Sequence, residues 1–212
     1  MSDEPVVRGA LADHPIARAF AAEVHRIHIR YANEVVGAFS LCPFMKDAES
    51  SFGTFFVMLD REPDPKASID AVLEAKSSII HVVFPCIRMP PSPFEKFASG
   101  VRASLASWIP KPPVIAVFHP ELSGDFSTSH RLVGLLRRAP DPFVQFVPEG
   151  LHEGGTVFID NIELLAKNPA DRNFDKLRGE GGERLVRIIE DIHADRAKSY
   201  APFLERLFRE EG

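Results

Sequence analysis

Apolar positions recur in steps of three and four along Ile16, Phe20, Val24, Ile27, Tyr31, Val35 and Ala38, while Arg26, Arg30, Asn33 and Glu34 take the other side. This spacing is one stripe of a helix and predicts a long amphipathic segment. Asp13-His14-Pro15 reads as its start, a capping acid with proline in the first turn, and Pro43 ends it. A second stripe runs through Phe94, Phe97, Ala98, Val101, Leu105 and Trp108. Ser92-Pro93-Phe94-Glu95 reads as the capping box that opens it. Asp64-Pro65 starts a shorter helix carrying Ile69, Val72 and Leu73. Further helices are expected near residues 129–138 and 160–167, the latter stopped at Asn168-Pro169. Gly179-Glu180-Gly181-Gly182 reads as a hinge-like break. Beyond it a long helix runs to the C-terminus, with a bend near Pro202.

Between these stripes lie short runs rich in β-branched and aromatic residues, at 52–59, 79–84, 114–118 and 143–147. Ile79 to Phe84 and Val114 to Phe118 are almost continuously apolar, the pattern of strands buried on both faces. Alternation of strand and helix predicts an α/β fold with a mainly parallel four-stranded sheet flanked by helices, plus long N- and C-terminal helices. The rival is an α+β ferredoxin-like antiparallel sheet, because the connections are short. The expected organisation is a flexible arm at 1–13, one α/β domain at 14–178 and a helical extension at 179–212.

Composition narrows the classes. Of 212 residues, 45% are hydrophobic and 26% charged, enough for a full core. A net charge of -5 argues against non-specific nucleic-acid binding. No apolar run is long enough to span a bilayer, and Asp3 and Glu4 stand where a signal peptide needs basic residues, so a cytoplasmic location is expected. Only Cys42 and Cys86 could form a disulfide, and no CxxC pair marks a structural zinc site.

The candidate chemistry sits where elements end. Leu41-Cys42-Pro43-Phe44 closes the first helix and Phe118-His119-Pro120 closes a strand, each placing a reactive side chain before a proline that holds it extended. In a parallel sheet the loops after the strands share one edge, where ligands bind. Those loops carry Asp60 and Arg61, Cys86 and Arg88, His119 and Glu121, then Glu149, His152 and Glu153. If the sheet is antiparallel, the set splits between two edges. His119 is the candidate acid/base or metal ligand, with His152 and Glu153 as further metal candidates. Arg88 and Arg137 are candidate clamps for an anion. The competing reading has His119 bond a backbone carbonyl to shape its turn, and Cys42 behave as a small buried hydrophobe. His25 and His28, three apart on the first helix, lack a third ligand, and a boundary position explains them better. His193 reads as incidental on a last helix whose Glu183, Arg187, Glu190 and Asp191 form a solvated face. Gly150 and Gly154-Gly155 lack the lysine of a phosphate loop, so no nucleotide motif is present, while a metal ion or haem stays open as cofactor.

At these same motifs the chain resembles a bacterial family known only as domain of unknown function 1415. The matching residues are Leu41-Cys42-Pro43-Phe44, Phe118-His119-Pro120, Leu135-Leu136-Arg137, and Asn161-Ile162 with Leu165, in order over roughly residues 30 to 168. The family's Asn before Leu-Cys-Pro-Phe is Ser40 here, the His of its His-Leu-Leu-Arg stretch is Gly134, and its Ser-Pro-Tyr-Pro segment is replaced by residues 127–132. The chain is therefore similar to a divergent member. The resemblance implies a fold and a site location, with no activity attached.

Three functions are compatible with this pattern. One is an enzyme acting on a small anionic metabolite through His119, with Cys42 beside it. Another is a non-catalytic protein binding a metal, haem or small ligand. The last is an interaction module, with the long terminal helices as candidates for a homodimer contact.

Overall fold

The computed structural model describes residues 4–41, 53–147, 169–177 and 179–209. In chain order these form β1 (Val6–Arg8), α1 (Ala17–Tyr31), a π-helical continuation (Ala32–Gly37), β2 (Thr54–Met58), α2 (Pro65–Glu74), β3 (Ile80–Val83), α3 (Pro91–Leu105), β4 (Val114–Phe118), α4 (Ser129–Leu136), β5 (Phe143–Val147), α5 (Pro169–Leu177) and α6 (Glu180–Arg209).

Among the described residues the sheet is mixed and has five strands in the order β1-β2-β3-β5-β4. β1, β2 and β3 pair in parallel, whereas β5 is inserted antiparallel between β3 and β4. Five strands replace the expected four because residues 6–8, expected in a frayed arm, pair with Phe56, Val57 and Met58. Gly9, at φ 101, turns the chain out of that strand. A Cβ there would lie 2.2 Å from the Asp60 carboxylate. Asp60 in turn accepts the Ala10 N–H at 2.7 Å, tying the end of β1 to the end of β2.

Side chains alternate across a strand, so Phe55 and Val57 face one side and Phe56 and Met58 the other. The first face packs on α1, α4 and α6 through Phe20, Val24, Ile27, Leu132, Leu185, Ile189 and Tyr200. The second packs on α2 and α3 through Val72, Phe94, Ala98, Val101 and Leu105. Full burial of such side chains stabilises the fold by about 1.5–3 kcal/mol each. The C-terminal segment from residue 179, expected to be a separable extension, is thus part of the core. Phe20 meets Tyr200 edge-on at 5.0 Å and stacks on Phe203 at 5.3 Å, and Asp195 accepts from Arg26 and Arg30. The hinge-like break is a tight corner between α5 and α6. Gly179 supplies φ 79 there, and a Cβ on Gly182 would lie 2.7 Å from the Leu177 carbonyl.

Several local expectations are revised. The capping box does not form: α3 starts at Pro91 with Pro90 as cap and no side-chain hydrogen bond. The consecutive prolines set the first-turn backbone without it. α1 starts at Ala17, later than Asp13 suggested. Trp108 lies past the end of α3 and is 69% exposed. β4 is an edge strand, half-buried along its length rather than fully buried. Asp64 does cap α2, accepting from the Lys66 N–H at 2.9 Å. The helix expected at 160–167 lies outside the described residues, and Pro169 opens α5. No described helix is long and apolar enough to cross a membrane.

Candidate functional site

The inserted strand decides which loops meet. Phe143, at the start of β5, is flanked by Val83 and Phe118, the last residues of β3 and β4. The loop entering β5 therefore joins the loops leaving β3 and β4 at one sheet edge. β5 itself leaves the sheet at the opposite edge, where Val147 pairs with Val114. The sequence grouped the loop after β5 with the others on the expectation of a parallel strand, whereas β5 runs antiparallel and ends at the opposite edge. Glu149, His152 and Glu153 follow β5 and lie outside the described residues, as does Cys42.

At the shared edge a carboxylate collects four donor groups. Asp141, fully buried between Pro140 and Pro142, accepts from His28 Nε2 at 3.1 Å and Tyr200 OH at 2.8 Å on one oxygen. Its other oxygen accepts from Arg196 Nε at 3.0 Å and Nη2 at 2.8 Å. Arg196 also donates to the Pro85 carbonyl at 3.0 Å, and the Phe84 N–H donates to the Pro142 carbonyl. Burial by itself would raise the Asp141 pKa. The Arg196 guanidinium and the His28 hydrogen bond outweigh it and hold the acid at about 2. The same surroundings push Tyr200 well above its ordinary value, through burial and then the Asp141 charge. This network joins α1, the β5 entry and α6. Sequence reading missed it, although Pro140-Asp141-Pro142, an acid pinned between prolines before an apolar strand, was a visible signal.

Above the network lies a groove of about 390 Å³, lined by Arg88 and Met89 after β3, His119 and Glu121 after β4, Pro140 and Pro142 before β5, and His193 and Arg196 on α6. His119 is buried, and both of its ring nitrogens are committed. Nε2 donates to the Met89 carbonyl at 2.9 Å, and Nδ1 accepts the Glu121 N–H at 3.1 Å. The ring thus bridges two loops, and its backbone N–H donates to the Arg137 carbonyl. His193 is placed differently. Its Nε2 donates to the Arg138 carbonyl at 3.2 Å, which leaves Nδ1 as the lone-pair nitrogen of the neutral ring. Burial pulls its pKa below the ordinary value, partly offset by that carbonyl. The sequence passed over His193 because one histidine in a charged helix carries no pattern of its own. His193, Arg196 and Tyr200 follow at steps of three and four, one face of α6.

The remaining candidates disperse. Arg137 does not line the groove: its guanidinium lies 5.9 Å from the Phe118 ring, and burial lowers its pKa. Arg61 lies over the Phe208 ring at 4.6 Å, against the C-terminal turns of α6. Cys86 is a free thiol whose pKa burial, with the Asp141 charge, pushes up to about 12, far from a thiolate nucleophile at neutral pH. His28 serves Asp141, and the His25 ring packs on Phe55 at 4.9 Å. Among the described residues no three His, Cys, Asp or Glu side chains are placed to hold a metal ion.

Comparison with protein-family models, with curated proteins and with solved structures finds no match. Two of the sequence motifs meet in the fold. Phe118-His119-Pro120 abuts Leu135-Leu136-Arg137 through the His119–Arg137 backbone bond and the Arg137–Phe118 ring contact. Leu41, from the first motif, belongs to the same core cluster as Phe118, Leu135 and Leu136.

Proposed function

We propose that the protein binds a small anionic metabolite in the groove between α6 and the loops leaving β3 and β4. The observation that carries this reading is the convergence of Arg88, Arg196 and His193 on one concavity of about 390 Å³ at a sheet edge. That volume is in the range of small-molecule sites. Arg88 is exposed at the rim. Arg196 spends Nε and Nη2 on Asp141 and Pro85, so its Nη1 is the group it can offer a ligand. Arg88 can present both nitrogens of its fork to a carboxylate or phosphate, and Arg196 adds a single further donor. His119 supports the site by fixing its wall, since both of its nitrogens hold backbone groups. The resemblance to domain of unknown function 1415 agrees with the location, because its His119 motif forms that wall.

The test is calorimetric titration of the full chain with inorganic phosphate and with succinate. Saturable binding, weakened about tenfold or more in Arg88→Ala, is the expected result. Absence of binding by either anion, or binding unchanged in Arg88→Ala, would overturn the reading.

A further inference from the structure

We infer that the anion taken by the groove also carries a hydroxyl group, and that this hydroxyl donates its hydrogen to Nδ1 of His193. The inference rests on the anion-binding reading above and deepens it from charge to substrate class.

The groove holds two imidazoles, and only one can receive a proton from a ligand. His119 has Nε2 on the Met89 carbonyl and Nδ1 on the Glu121 N–H. His193 has Nε2 on the Arg138 carbonyl, so the backbone selects the tautomer with a lone pair on Nδ1. The groups around this ring preserve that state. On its own helix Arg196 is a fixed cation, held by Asp141. From the loop before β5 come Asp141 and the Arg138 main chain, and across the groove stand Arg88, His119 and Glu121. Burial of the ring and the Arg138 and Arg196 charges disfavour its protonation, while the Arg138 carbonyl and Asp141 oppose them. The net effect is a lowered pKa. A neutral imidazole beside guanidiniums is a poor partner for a bare anion and a good acceptor for an O–H. A groove built only for charge would gain from a third cation at this position. An acceptor there pairs with a donor on the ligand, and a ligand lacking that donor leaves Nδ1 desolvated and unpaired. The groove volume equals that of about a dozen waters, room for a short hydroxy acid.

Succinate and L-malate are matched probes, both dianions, differing by one hydroxyl. On the full chain at pH 7.5 (about one unit above the ordinary histidine pKa), malate is expected to bind on the order of tenfold more tightly than succinate, the worth of one hydrogen bond. In His193→Phe the advantage of malate over succinate should disappear. Long-range nitrogen–proton NMR of the histidine rings, in the unliganded wild type, should show His193 protonated on Nε2 alone. Equal affinity of the wild type for both acids, or an Nδ1–H tautomer, would overturn the inference and leave the anion site standing. Binding of neither acid would overturn this inference, and absence of phosphate binding as well would remove the anion site with it.

Discussion

Replacing Asp141 by Asn tests whether the buried network organises the site edge. The exchange keeps the volume and removes one charge and one acceptor. Four hydrogen bonds converge on the carboxylate, from His28 Nε2, Tyr200 OH and two Arg196 nitrogens. An amide can satisfy one side of this set and must aim its own NH2 at donors on the other. The depression of the Asp141 pKa from 3.8 to about 2 corresponds to about 2 kcal/mol of preference for the charged form in the fully buried site. Asn adds to that loss the facing donors and the uncompensated Arg196 charge, so the expected cost is about 3–5 kcal/mol. For a chain of this size that lowers Tm by roughly 6–20 °C. Urea titration followed by circular dichroism should show a lower midpoint with an unchanged slope. A control double variant, Asp141→Leu with Arg196→Met, removes the charges together and should cost less than the sum of its single changes. A destabilisation below about 1 kcal/mol for Asp141→Asn would refute the argument, because it would mean that the donors find water or other acceptors at no penalty.

Acid should weaken the fold in two stages. His25 and His193 have folded pKa values below the ordinary 6.5, because burial opposes their charging, so the unfolded chain binds more protons and stability falls as pH drops below that value. Asp141 has a folded pKa below its unfolded value, so its contribution is complete above 3.8 and disappears between about 4 and 2. Glu23 and Asp195 also have folded pKa values below their ordinary ones, so Asp141→Asn should shrink the lower stage without removing it, and a profile identical to the wild type would count against the assignment. His119→Ala removes two backbone hydrogen bonds from a buried ring and should cost about 2 kcal/mol or more in urea titration. A cost under 0.5 kcal/mol would argue against its wall-fixing role. Truncation before Gly179 strips Leu185, Ile189, Ile192 and Tyr200 from the core and should abolish the cooperative thermal transition. A truncated chain that still melts cooperatively would show the tail to be dispensable. Gly134→Ala would put a Cβ 2.1 Å from the Ser123 carbonyl, and should cost about 1–3 kcal/mol by the same measurement.

What the sequence determined by itself is local and periodic. The stripe from Phe20 to Val35 is buried as its spacing required, the Asp64 cap forms, and Ile80–Val83 is buried throughout. These follow from how backbone geometry repeats over a few residues, and a single segment contains that information. The edge location of His119 was legible for the same reason, since an apolar run ends and a proline follows. The direction of β5 was not legible, because periodicity marks a strand and leaves its sense open. That direction decides that the start of β5, with Asp141 before it, joins His119 at one edge, while Val147 ends at the other. The pairing of His28 with Asp141, 113 residues apart, has no trace in either segment. It exists because both flank a buried interface where an unpaired polar group is costly and each supplies what the other lacks. Likewise α6 reads as a charged helix from its sequence alone. Only its packing against α1 and the sheet turns one of its faces into core, and His193 and Arg196 into the wall of a groove.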